Sequence, residues 1–202
     1  IIPNYALQFN GTSQYATFGR APGLDSLGVR TFTIECWFRR DGTGVATSTG
    51  TGGLAAAIPL VSKGRGEAET PANLNMNYFF GISGTTLAAD FEDSVNGGNH
   101  PIIGTATITN GNWYHAAATY DGTTWRLYLN GALDASAIVN FIPEYRSIQH
   151  AGLASAMTST GLAAGFFNGR MDEVRIWNYA RTQLEIQQSI NSEITSPQGG
   201  LI

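Results

Sequence analysis

Two adjacent acidic residues, Asp172 and Glu173, lie within the segment 167–177, which otherwise has the apolar pattern of a strand. Carboxylates near a core need a cation or hydrogen-bond donors, because an unpaired buried charge is costly. The pair therefore predicts a bound metal ion at this strand. The alternative is that Asp172 caps a turn, while Glu173 pairs with Arg170 or Arg175.

A second kind of chemistry is indicated by aromatic residues on strands. Sugar rings present C–H faces to aromatic side chains and hydroxyl edges to planar polar groups. Trp37, Trp125 and Tyr128 are the aromatic candidates for a carbohydrate site, with Glu35 and His115 as polar partners. We favour Trp37, Glu35 and Tyr128, because Trp37 occupies the polar face of its strand. The alternative is that these residues belong to the core.

The spacing of the acids does not favour catalysis. Retaining glycosidases place two carboxyl groups about 5 Å apart, which on one strand requires acids at alternate positions. Here the acids are adjacent, as in Glu92-Asp93 and Asp172-Glu173, or isolated, as is Glu35. The three histidines have no zinc-binding spacing, and no nucleophile motif occurs. We therefore predict that the chain is not an enzyme.

The elements that must position these residues are strands. In the segment 31–40 apolar residues occupy every second position, and Phe32, Ile34, Cys36 and Phe38 share one face. Alternating runs also occur at 57–62, 77–82, 87–92, 102–109, 113–120 and 125–129. Many short strands with turns between them are typical of an all-β protein, a two-sheet antiparallel jelly-roll β-sandwich.

Two local signals add detail to this fold. Asn10-Gly11 lies between two alternating runs, which predicts a hairpin of residues 5–9 and 15–18. The sequence Thr182-Gln183-Leu184-Glu185 matches a capping box, and we predict one short C-terminal helix at the edge of the sandwich. A single domain is expected over residues 1–195, followed by a linker or tail at 196–202.

Composition excludes several classes of partner. The net charge is −4 and the basic residues are scattered, so nucleic acid is not expected. No apolar run reaches the ~20 residues of a membrane span. Glycine is abundant, at 25 of 202 residues, charged residues are 13%, and the single Cys36 fits a core position. This composition suggests a secreted or cell-surface domain of bacterial origin, and the start at Ile1-Ile2-Pro3, without an initiator Met, predicts an excised or processed piece.

Five segments, in this order, resemble the laminin-G-like jelly roll of the concanavalin A-like lectin and glucanase superfamily. They are Leu7–Gly11, Phe32–Phe38, Leu60–Gly64, Trp113–Gly131 and Phe167–Trp177. The resemblance spans nearly the whole chain and implies the jelly-roll fold. The loops at 41–53 and 63–75 are longer than is usual in the family.

The resemblance also implies a calcium ion with a structural role. Asp172 would supply a carboxylate, and Asn10 and Gly11 would supply oxygens from the early turn. Calcium takes about six to eight oxygen ligands, including carboxylate, amide and main-chain oxygens. The family often has Asp at the position of Asn10, and the missing charge predicts a lower affinity.

The expected function is that of a non-catalytic binding module, joined to other domains of the same parent chain. Its first expected ligand is a glycan, with calcium stabilising the scaffold. The alternatives are a protein-interaction or adhesion module that binds an extracellular protein, and a structural accessory domain. An exposed pair of aromatic residues on a concave face would favour the glycan-binding module, and its absence would favour the adhesion module.

Overall fold

The computed structural model describes residues 5–19, 27–69 and 75–202, which form two antiparallel sheets. In spatial order, the first sheet contains β1 (Leu7–Asn10), β14 (Asn168–Trp177), β3 (Phe32–Arg40), β8 (Trp113–Tyr120), β9 (Thr124–Leu129) and β10 (Ala132–Ile138). The second contains β2 (Ala16–Gly19), β11 (Ala151–Leu153), β4 (Ile58–Lys63), β5 (Tyr78–Ser83), β6 (Thr86–Asp90) and β7 (Ile102–Ile103). A small ribbon pairs β12 (Ala156–Met157) with β13 (Ala163–Ala164).

The predicted two-sheet β-sandwich with one short helix, α1 (Gln183–Ser189), is therefore confirmed. Within the described residues, no helix is both long and apolar enough to span a membrane.

The core lies between the inner faces of the two sheets. The alternation in β3 works as predicted, since Phe32, Ile34, Cys36 and Phe38 are all fully buried. Burial of a large apolar side chain contributes about 1.5–3 kcal/mol, so this strand anchors the sandwich. Trp125 is also fully buried, and its ring meets that of Phe32 edge-on, with 5.4 Å between centroids. Trp125 is a core residue and cannot contact a sugar.

The predicted hairpin at Asn10-Gly11 is wrong. β1 pairs with β14 in the first sheet, whereas β2 pairs with β11 in the second, so the chain crosses between sheets at this turn. The Asn10 side chain organises the crossing, because its Oδ1 accepts hydrogen bonds from the backbone N–H groups of Thr12, Ser13 and Gln14 at 3.0–3.1 Å. The Asn-Gly pair does form a turn, but the strands on either side of it pair with strands that are distant in sequence.

The capping box is confirmed at the start of α1. Thr182 Oγ1 accepts from the Glu185 N–H, and Glu185 Oε2 accepts from the Thr182 N–H at 2.7 Å. The helix does not lie at the edge as predicted. Its fully buried Ile186 packs with Ala117 and Tyr128, so α1 covers the outer face of the first sheet over β8 and β9.

The C-terminal segment 196–202 is not a free linker in the structure. Leu201 forms an antiparallel bridge with Trp177, the last residue of β14. The backbone N–H of Ile202 donates to the carbonyl oxygen of Ile176 at 2.9 Å. The predicted boundary at residue 195 therefore does not coincide with the end of the packed structure.

Candidate functional site

A row of polar and aromatic side chains crosses four strands on the outer face of the first sheet. Gln8 of β1 lies opposite Arg170 of β14, Arg170 lies opposite Arg39 of β3, and Arg39 lies opposite Trp113 of β8. Directly opposed residues of antiparallel strands project from the same face. The register therefore brings together four side chains that are widely separated in sequence.

A second row lies beside the first. It runs from Asp172 of β14 through Trp37 of β3 to His115 of β8. The two rows, with the segment after α1, enclose an open cleft of about 760 Å³. The cleft is lined by Tyr5, Gln8, Trp37, Trp113, Arg170, Asp172 and Glu173, together with residues 190–193.

Two tryptophans give the cleft its apolar surface. Trp113 is 39% exposed at the end of β8, and Trp37 is half-buried. The indole Nε1 of Trp37 donates to the carbonyl oxygen of Ile190 at 2.8 Å, which fixes the orientation of the ring. Trp37 thus lies where the sequence placed it, on the outer face and in contact with solvent.

Arg170 is a polar group of the cleft with spare hydrogen-bonding capacity. Its Nε is buried and has no hydrogen-bond partner among the described residues, and the nearest acidic oxygen, Asp41 Oδ2, is 3.9 Å away. Arg39 is engaged instead, because its Nε donates to Asp41 Oδ1 at 2.7 Å. A guanidinium with free donors is suited to hydroxyl pairs or a carboxylate.

The acidic pair of β14 is compensated by its neighbours. Asp172 Oδ1 accepts from the backbone N–H of Glu173 at 2.8 Å, where an irregularity in the β3 pairing gives Glu173 a positive φ of 49°. Glu173 Oε2 is 2.6 Å from Nη2 of Arg175. The structure therefore supports the alternative of local pairing, in which Arg175 is the partner.

Glu35 and Tyr128 cannot be part of an accessible carbohydrate site, which corrects the prediction for these two residues. Glu35 is fully buried, and its Oε1 accepts from Trp177 Nε1 at 2.9 Å and from Arg181 Nη1 at 2.7 Å. Tyr128 is only 4% exposed and lies under Ile186 of α1. Both occupy outward positions of their strands, but the helix covers that part of the sheet.

His115 lies between the buried network and the cleft. Its Nε2 is 3.8 Å from Glu35 Oε2, and its ring meets the Trp37 ring edge-on. Burial, together with the smaller effect of the charges of Arg175 and Arg181, lowers the pKa of His115 to about 4. The imidazole is therefore neutral near pH 7, so the contact with Glu35 is not an ion pair.

The residues implied for calcium do not form one site. Asn10 lies opposite Asn168, four positions before Asp172 on β14, which corresponds to roughly 13 Å at ~3.3 Å per residue. The Asn10 side-chain oxygen already accepts three backbone hydrogen bonds, so its lone pairs are not available. No group of three or more His, Cys, Asp or Glu side chains in the described ranges is arranged to hold a metal. Calcium binding stays a prediction, but Asn10, Gly11 and Asp172 do not fit it as a set.

Sequence reasoning did not select Gln8, Arg170 or Trp113 as site residues. Each of the three side chains points to the outer face of its strand, and the alternation of apolar and polar residues could have indicated this. The alternation does not reveal which strands are neighbours, so it could not show that the three side chains lie in one row.

Two curated relatives match most of the chain. Pappalysin-1 of Mus musculus is 28% identical over 198 residues, and pappalysin-1 of Homo sapiens is 27% identical over 198 residues. Each match covers 91% of this chain and 11% of the relative. The chain thus spans about a tenth of the length of these proteins.

Several solved structures share the fold. The CBM40 of the Ruminococcus gnavus IT-sialidase, bound to α2,3-sialyllactose, superposes with a TM-score of 0.68 at 14% identity, covering 92% of this chain and 96% of that one. Domain 4 of AbnA, an extracellular arabinanase from Geobacillus stearothermophilus, in complex with arabinotriose, gives a TM-score of 0.58 at 17% identity, covering 91% and 75%. The NanB sialidase of Streptococcus pneumoniae gives a TM-score of 0.69 at 16% identity, covering 95% of this chain and 28% of that one.

The family model for the concanavalin A-like lectin/glucanases superfamily matches residues 10–187. This match contains the whole of four of the five segments that resemble the laminin-G-like jelly roll. Of the first segment it contains only the end. The chain belongs to the concanavalin A-like lectin/glucanases superfamily.

Proposed function

We propose that this chain is a non-catalytic carbohydrate-binding module of a longer secreted or cell-surface protein, and that the cleft on the first sheet binds the glycan. The observation that carries the proposal is that one open cleft brings Trp113 and Trp37 together with the guanidinium of Arg170, whose Nε has no hydrogen-bond partner among the described residues. Aromatic faces and planar polar groups are complementary to the C–H faces and hydroxyl edges of a sugar.

Structural neighbours support this proposal. The CBM40 and the AbnA domain were both solved with saccharides, sialyllactose in one case and arabinotriose in the other. The first is a module of a sialidase, and the second is a domain of an extracellular arabinanase. The pappalysin matches likewise cover a small part of a long chain, which supports a module with neighbouring domains.

The environment of the acids supports a non-catalytic role. Of the two β14 carboxylates in the cleft, Glu173 is held by Arg175, and Asp172 accepts a hydrogen bond from the adjacent backbone. A general acid or nucleophile needs a carboxyl group that faces the scissile bond. Bacterial origin and a structural calcium ion stay predictions of the sequence.

The proposal is tested by screening the protein against an array of saccharides and measuring the affinity of any hit by titration calorimetry. Trp113→Ala and Arg170→Ala should each weaken binding at least tenfold, about 1.4 kcal/mol. Both side chains are partly exposed, so the melting temperature should change little.

Two variants outside the cleft lining serve as matched controls. Tyr15→Ala removes an aromatic side chain that is 40% exposed, and Arg126→Ala removes an exposed arginine. Both should retain wild-type affinity. Binding that survives Trp113→Ala and Arg170→Ala would place the glycan elsewhere. An array without any hit, together with capture of an extracellular protein, would instead favour the adhesion module.

A further inference from the structure

Two carboxylates are buried on the outer face of the second sheet, away from the cleft. Asp90 ends β6, and Glu92 follows two positions later on the same face. Both residues are 0% exposed, because loop residues such as Thr49 cover this face. Neither carboxylate takes part in the ion pairs that arginine and histidine side chains form among the described residues. Two buried acids that pair with no described arginine need another source of compensation.

The carboxylate of Asp90 is fully hydrogen-bonded. Its Oδ2 accepts from Thr49 Oγ1 at 2.6 Å and from Asn99 Nδ2 at 2.9 Å. Its Oδ1 accepts from the backbone N–H of His100 at 2.9 Å. These contacts fix Thr49 and Asn99 beside Asp90.

Glu92 is only half satisfied. Its Oε2 accepts from the backbone N–H of Met76, whereas its Oε1 is buried and has no hydrogen-bond partner in the described part of the chain. The backbone N–H of Glu67 is close enough to stabilise the carboxylate slightly, but it does not reach hydrogen-bonding geometry. Asn99, which faces Glu92 in an isolated antiparallel bridge, also has a buried Oδ1 without a partner. Two unpaired acceptor oxygens at one place indicate a missing electrophile.

The Thr49–Gly50 peptide lies beside these two side chains. The carbonyl oxygen of Thr49 accepts from Asn99 Nδ2 at 2.7 Å. Gly66 packs so tightly here that an added Cβ would collide with Thr49 O and lie 3.3 Å from Glu92 Oε1. A Cβ on Gly50 would lie 3.1 Å from Asn99 Oδ1 and 3.2 Å from the carboxyl carbon of Glu67. Carboxylate, amide and main-chain oxygens are thus gathered around the Thr49–Gly50 peptide.

We propose that this oxygen cluster is a binding site for a hard divalent cation such as calcium, with Glu92 Oε1, Asn99 Oδ1 and Thr49 O as its ligands. Oxygen-only donors that mix carboxylate, amide and carbonyl groups are those preferred by calcium. Asp90 positions Thr49 and Asn99, and Glu67 adds negative charge at the rim, where it already accepts two hydrogen bonds from Thr51. The ion would tie two loops to the second sheet.

The electrostatics of the cluster agree with its geometry. Burial, together with the smaller effect of the negative charges of Asp90 and Glu67, raises the pKa of Glu92 to about 8. Burial likewise raises the pKa of Asp90 to about 6. A bound cation would offset this accumulation of negative charge and allow both groups to ionise.

The test uses the full chain, first depleted of metal with EDTA and then titrated with calcium chloride. Calorimetric titration should show binding, and the melting temperature should rise with calcium concentration, because a ligand of the native state stabilises it. Glu92→Gln keeps the shape and removes the charge, and it should weaken calcium binding at least tenfold. Asp172→Asn serves as the control, since it should retain the full calcium response.

Three results would overturn the site. The first is no heat of calcium binding and no shift in melting temperature at millimolar calcium. The second is a Glu92→Gln protein that responds like wild type. The third is loss of the response in Asp172→Asn alone, which would move the ion to β14. The calorimetric titration of the wild-type chain does not depend on how well any variant folds.

Discussion

Arg181 Nη1 donates a hydrogen bond to Glu35 Oε1 over 2.7 Å, and both side chains are buried beneath the C-terminal helix. The same Glu35 oxygen accepts from Trp177, and Nη1 of Arg175 lies 3.8 Å away. Arg181 also donates through Nη2 to the carbonyl oxygen of Glu185 in α1. One carboxylate on β3 therefore holds the helix against the sheet.

Glu35→Ala should destabilise the protein by about 3–5 kcal/mol, because it leaves buried Arg181 without its counter-charge and the Trp177 indole without its acceptor. Urea unfolding followed by tryptophan fluorescence measures this change. Arg126→Ala is the control, since its ion pair with Asp121 is exposed and should contribute no more than ~1 kcal/mol. Equal losses in the two variants would contradict the buried-anchor role of Glu35.

The capping box gives a prediction for α1 alone. Thr182→Ala should cost about 1 kcal/mol, because the backbone N–H of Glu185 loses its acceptor. Amide hydrogen exchange should accelerate in 183–189 before it does in β3. Leu184→Ala is the control. Leu184 lies in the first turn of α1 and is 62% exposed, so its replacement should change the free energy of unfolding by less than ~0.5 kcal/mol. Unchanged exchange in Thr182→Ala would show that tertiary packing alone holds the helix.

His115 should make the protein less stable in acid. Its pKa in the folded protein is lowered to about 4 from the usual 6.5 of histidine, so between these values the unfolded chain binds a proton that the folded chain does not. The free energy of unfolding therefore falls as the pH drops through this window and levels off below it. The full effect is roughly 3 kcal/mol.

The groups that face His115 set this behaviour. Glu35 lies at 3.8 Å, the ring of Trp37 packs edge-on, and the charges of Arg175 and Arg181 oppose protonation. Other titrating groups also act in acid, so the measurement is the difference between wild type and His115→Gln in unfolding free energy across the window. A constant difference would refute the assignment.

Cys36 should be inert in the folded protein. It is fully buried in β3, and burial raises the pKa of its thiol, so the reactive thiolate is suppressed. A thiol reagent such as DTNB should label the native chain only at the rate of unfolding and should label it rapidly in denaturant. Fast labelling of the native state would mean that β3 opens locally.

The sequence by itself determined those features that depend on local spacing. The alternation in β3 identified Phe32, Ile34, Cys36 and Phe38 as core and Trp37 as outward, and all five lie as predicted. The capping box at Thr182 located the start of α1. Period-two alternation and side-chain capping act over a few residues, so they can be read without knowing what lies on either side.

Only the tertiary structure decided which outward positions are open to solvent and which strands are neighbours. Glu35 and Trp37 have the same orientation on β3, yet α1 buries the first, while the second lines the cleft. Arg170 joins Gln8 only because β14 pairs with β1 across some 160 residues of chain, and Asn10 leads into the other sheet rather than a hairpin. Period-two alternation assigns a side chain to one face of its strand, but the element that covers that face is fixed by contacts distant in sequence.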